Sequence, residues 1–114
     1  MLARLPARID KKSHKQDAGK RSPAHRAWVR GFACSIPGCD GRPIECAHFR
    51  DGTGGGISMK PSDRWVWSAC ADHHREQHQI GERAFQKKYG LDLRVLCETF
   101  AKQSPHWPKL REMV

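Results

Sequence analysis

Cys70-Ala-Asp-His73-His74-Arg-Glu-Gln-His78 places four soft or borderline metal ligands within nine residues, and Cys34 and Cys39 form a second pair upstream. A structural zinc closes with four Cys or His ligands, whereas a catalytic cation keeps a position open for water or substrate. The donors exceed what one closed site can use, so the surplus histidines point to chemistry. Cys34-x4-Cys39 and Cys70-x2-His73 supply a tetrahedral zinc from two local turns. Residues four apart on a helix share a face, so His74 and His78 can present two imidazoles to one ion. His73 then points about 100° away, toward the first site. Such a histidine pair on a polar helix is more often solvated surface, and the adjoining zinc motif is what favours a second metal. Cys46 and Cys97 have no close partner and read as buried small residues.

His48 stands in Glu45-Cys-Ala-His48-Phe-Arg50, ahead of a glycine-rich run. Hydrolysis of a phosphodiester needs a base to deprotonate water as well as a cation to stabilise charge. An imidazole, which titrates near neutrality, suits the first task. Arg50, Lys60, Arg64 and Arg75 are close enough in sequence to contact phosphates, and equally suit ordinary surface positions.

Several short elements must position these groups. The turn signals Pro37-Gly38 and Asp40-Gly41 suggest a hairpin around the first cysteine pair. Asp51-Gly-Thr-Gly-Gly-Gly56 is too glycine-rich for a regular element, and its spacing matches no dinucleotide or phosphate-binding fingerprint. Arg64 to Ala69 reads as a strand, with Trp65 and Trp67 on one face; they suit base stacking, and more often such residues are core. Asp72 is expected to cap a helix running to about Lys88, weakened but not ended by Gly81 and stopped by Gly90. A further helix from about Asp92 to Lys102 would bury Leu93, Leu96, Cys97 and Phe100. Pro105 and Pro108 rule out a continuous helix in the tail.

A chain of 114 residues with 38% apolar content supports one small domain with a thin core, for which metal is a natural staple. No apolar run reaches the roughly 20 residues of a membrane helix, and the basic N-terminus lacks the apolar stretch of a secretory signal. The expected location is the cytoplasm, where reduced thiols favour zinc over disulfides. Net charge is +9, concentrated in residues 1–27, which read as a flexible basic arm preceding a domain of residues 28–114. The arm suits attraction to nucleic acid, or simply solvation.

The order Cys34-x4-Cys39, Ala47-His48, a glycine-rich loop, Ser62-Asp63 and Cys70-x2-His73-His74-x3-His78 resembles the HNH, or ββα-metal, nuclease superfamily. It is most similar to the phage and prophage branch that includes the RecA-dependent nuclease Ref. The resemblance spans about residues 32 to 90 and implies a small α+β fold: a zinc-stapled treble-clef ββα-metal core, with an additional C-terminal helix. It implies a metal-dependent DNA endonuclease acting on single- or double-stranded DNA, in a bacterial host's cytoplasm if phage-encoded, with a recombinase filament as a partner by analogy and no membrane. His48 would be the general base. Asp63 would orient that base or bind the ion. His74 and His78 would hold a catalytic Mg2+, Mn2+, Ni2+ or Zn2+, and Cys34, Cys39, Cys70 and His73 a structural Zn2+. Many relatives carry a ligand where this chain has Ala47. A non-catalytic, zinc-stabilised nucleic-acid-binding module with a degenerate HNH site is therefore the alternative, and an interaction protein stapled by zinc is a third reading.

Overall fold

The computed structural model describes residues 19–53 and 60–113. Most of the basic arm and the later part of the glycine-rich run lie outside the described residues. The elements are α1 (Pro23–Val29), β1 (Ile44–His48), β2 (Val66–Cys70), α2 (Ala71–Ile80), α3 (Glu82–Tyr89), α4 (Leu93–Gln103) and α5 (Trp107–Leu110). This is a small α+β fold around one antiparallel β1–β2 pair, in which His48 faces Val66 and Ile44 faces Cys70.

All five residues of β2 are buried. A strand covered on both faces cannot show polar alternation. Here α1 and α4 pack on β2 while α2 packs across both strands. Trp67, Phe85 and Leu93 are fully buried at the centre of the core, with Phe49, Ala47, Trp65 and Cys97 around them. Trp67 on β2 and Trp65 just before it are thus both core residues. A smaller cluster of Ala101, Leu110 and Met113, with Trp107 against it, seals the C-terminal end.

The structure departs from the sequence expectations at four places. Helix α1 lies within and just beyond the stretch read as an arm. Ser22 caps it by accepting from the His25 amide at 3.2 Å, and His25 and Val29 are buried. Residues 33–43 form turns with no strand, so the cysteine pair sits in a knuckle and β1 begins after it. The strand runs Val66–Cys70 and not Arg64–Ala69, which makes Cys70 the residue that caps α2: its sulfur accepts from the His73 amide, while Asp72 lies in the first turn. Finally, Gly81 ends the helix. Its φ of 88° and ψ of 159° are far from helical and belong to a region open almost only to glycine. Chain direction changes there and α3 begins anew, ending at Gly90 in the left-handed conformation, as expected. The helix expected over 92–102 is α4, capped by Asp92. No helix among the described residues is long and apolar enough to cross a membrane.

Candidate active site and metal centre

The turn before β1 and the β2–α2 junction bring Cys34, Cys39, Cys70 and His73 together, with their ligand atoms all within 4.8 Å of one another. His73 Nδ1 lies 3.5 Å from the Cys34 and Cys39 sulfurs and 3.2 Å from that of Cys70, and the Cys39 and Cys70 sulfurs are 3.9 Å apart. Tetrahedral zinc with ordinary bond lengths separates sulfur from nitrogen by about 3.6 Å and sulfur from sulfur by about 3.8 Å. The donors present therefore fit a closed four-coordinate zinc. The Gly41 amide donates to the Cys39 sulfur at 3.3 Å, and a Cβ at Gly41 would sit 2.9 Å from the Cys70 sulfur. A side chain there would push into the ligand cage. Burial raises the Cys34 thiol against hydrogen bonds from the Cys70 and Ile36 backbone that lower it, and the neighbouring Cys39 thiol adds to the rise. Converging thiolates need a cation to offset their charge.

His74 and His78 face elsewhere. Their Nε2 atoms are 3.2 Å apart, and His74 Nδ1 is 2.9 Å from Glu45 Oε1 on β1. Because an ionised carboxylate only accepts, His74 donates from Nδ1, and its Nε2 carries the lone pair. Two nitrogens bound side by side on a first-row cation lie about 3.0 to 3.4 Å apart, so the pair fits one ion with most of its shell open. A carboxylate behind a ligating histidine is a recurrent way of fixing ring and tautomer. Glu45 and Ala47 are two apart on β1 and so share a strand face. Ala47 itself is fully buried. The carboxylate that reaches this site thus comes from one step earlier on the same face.

His48 hangs from the end of β1, with its Nε2 2.9 Å from Asp63 Oδ1. Asp63 is fully buried, also accepts from the Ser22 amide at 2.7 Å and Arg21 at 3.4 Å, and forms an ion pair with Arg26 at 3.3 Å. Burial pushes its carboxyl up, but the bonds from His48 and the Ser22 amide, with the Arg26 charge, outweigh that and hold it below the usual range. Three of its roughly four acceptor positions take protein donors, and the Arg26 guanidinium lies against it as well. It therefore fits the orienting role. With Nε2 donating to Asp63, His48 is left with Nδ1 as its proton acceptor.

His48, His74 and His78 line a common cleft of about 800 Å3, together with Arg26, Arg30, Arg50 and Lys60. The other two candidate cations lie apart: Arg64 stacks on Trp65 and Trp107 and donates to the Met113 carbonyl, and Arg75 pairs with Asp72. Glu82, at the start of α3, accepts from the Arg50 and Asp51 amides at 2.7 and 3.1 Å and so anchors the exit from β1. Sequence reasoning missed Glu45, Arg26 and Glu82 as site residues. Glu45 was visible three residues before His48, but its partner His74 depends on how α2 packs on the strands. Arg26 was hidden by the missed helix.

A family profile described as "Putative HNHc nuclease" matches residues 16–103. No curated protein and no solved structure gives a match. The match takes in α1, both strands, both groups of ligands and α4, well over half of the 114 residues, and the chain belongs to this HNH nuclease family.

Proposed function

We propose that the protein is a metal-dependent DNA endonuclease with two metal centres: a closed structural zinc at Cys34, Cys39, Cys70 and His73, in a treble-clef arrangement, and an open catalytic site at His74 and His78. The supporting observation is that the His48–Asp63 pair and the Glu45–His74–His78 group border one basic cleft. A divalent cation there would polarise the scissile phosphate and offset charge on the leaving oxygen. The rest falls to this chain's own residues. His74 and His78 set the position of the phosphate, Glu45 keeping His74 turned inward. Nδ1 of His48 takes the proton from an attacking water, and Asp63 stabilises the imidazolium that results, as a buried carboxylate does in hydrolytic triads. Arg50 and Lys60 meet the flanking phosphates. By family analogy the products carry 5′-phosphate and 3′-hydroxyl ends. Motif order alone suggests a Ref-like phage branch with a recombinase filament as partner.

Supercoiled plasmid with magnesium, manganese or nickel provides the test. The protein should nick it only with added cation, and His48→Ala should lower the rate by at least about 100-fold while zinc content stays intact. Undiminished nicking by the His48→Ala protein, after controls for contaminants, would remove His48 from the base role. Salt-sensitive binding with no nicking in any metal would favour the non-catalytic module, for which buried Ala47 is the specific supporting observation.

A further inference from the structure

We propose that the cleft continues beyond the active site into a track over the zinc-bearing turn, and that this track takes the unpaired nucleotides flanking the scissile phosphate. The inference rests on the nuclease reading and names the substrate form. A second hollow of about 450 Å3 lies beside the first, and the two share Arg30 and Ile44 in their walls. They form one path, from His48 and His74 at one end to the turn of Cys34 and Cys39 at the other.

The path is lined for a polyanion. Arg26 and Arg30 are four apart at the end of α1 and border the first hollow, while Arg30 and Arg42 border the second. The opposing carboxylates of the first hollow are engaged, Glu45 with His74 and Glu82 with backbone amides. Asp40 is the carboxylate of the second.

Phe32 also lines the second hollow, and 43% of it is exposed. Its ring is braced edge-on by Trp28 at 4.8 Å and Phe100 at 5.3 Å. A firmly held, partly open aromatic among guanidinium groups is a platform for a base. In a duplex the base faces are covered by their neighbours, so stacking on Phe32 selects nucleotides that are unpaired.

The test uses the full chain with His48→Ala, which binds without cutting, and two labelled probes: a thymidine oligonucleotide of about 12 residues, and a closed hairpin duplex. Fluorescence anisotropy should show that Phe32→Ala weakens oligonucleotide binding about tenfold and that Phe32→Trp restores it. Arg30→Ala with Arg42→Ala should reduce the slope of log affinity against log salt by about 1.4, the share of two single-strand phosphates. Hairpin affinity should not change. Parental affinity and slope in these variants would overturn the track, as would equal losses on the hairpin, which would mean a duplex partner. Both arginines are exposed, so the salt slope remains decisive if Phe32→Ala fails to fold. Cleavage by the unmodified chain with added Mn2+ is scored separately, on the oligonucleotide and on plasmid: cleavage without these binding effects sinks the track alone, and cleavage of neither substrate sinks the nuclease reading.

Discussion

Glu45 and Asp63 perform the same service for two imidazoles: each carboxylate fixes which nitrogen of its histidine faces the cleft. Glu45→Gln should therefore weaken Mn2+ binding about 10- to 100-fold by calorimetry while leaving zinc content unchanged. Unchanged Mn2+ affinity would make the Glu45–His74 bond incidental. His25 offers a separate prediction. It is fully buried, its Nδ1 is 2.9 Å from the Ser104 hydroxyl, and its Nε2 has no partner among the described residues. Burial, reinforced by nearby His106, lowers its pKa from 6.5 to about 4. The unfolded chain takes up this proton below about pH 6.5 and the folded chain only below about pH 4, so the contribution is complete above 6.5 and lost on acidification across that window. It is on the order of 3 kcal/mol. Urea midpoints at pH 7 and 4.5 should differ less in His25→Phe than in the parent; an equal difference would contradict the assignment. The candidate ligands and His48 were legible because their types and spacings are local, and Asp63 through the family resemblance. Glu45 was not, because its bond to His74 depends on how α2 packs on the strands.

Gly81 carries the main lesson at the scale of elements. A glycine inside a helix costs only about 1 kcal/mol, so the sequence over 72–88 reads as one helix. What breaks it is tertiary. The turn at Gly81 lets Glu82 reach the amides after β1 and brings Phe85 into the core. Gly81→Ala should lower stability by about 1 to 3 kcal/mol in urea titration, since alanine cannot easily adopt that backbone. Equal or greater stability would show that the helix simply continues. Helix α1 was hidden for a related reason: it is held by the Ser22 amide on Asp63 and by His25 on Ser104, contacts invisible to local pattern. In contrast α4 was plain from the helical spacing of Leu93, Leu96, Cys97 and Phe100, of which Leu93 and Cys97 are fully buried while Leu96 and Phe100 are partly buried against the core.

Over the whole molecule, the core is thin and a Cys3His cluster that could hold a metal ion adjoins it, so on the proposed reading metal is part of the fold. Stripping zinc with a strong chelator should abolish helical circular dichroism cooperatively, and added zinc should restore it. A native spectrum in zinc-free protein would reduce the cage to decoration. The central claim, that the crowded ligands between Cys70 and His78 are divided between two ions, is tested most directly by anomalous diffraction at the zinc and manganese edges from one crystal grown with Mn2+. We predict zinc enclosed by Cys34, Cys39, Cys70 and His73, and manganese on Nε2 of His74 and His78 beside His48. A single ion drawing on His74 or His78 to complete the cysteine site, with no manganese in the cleft, would contradict the account.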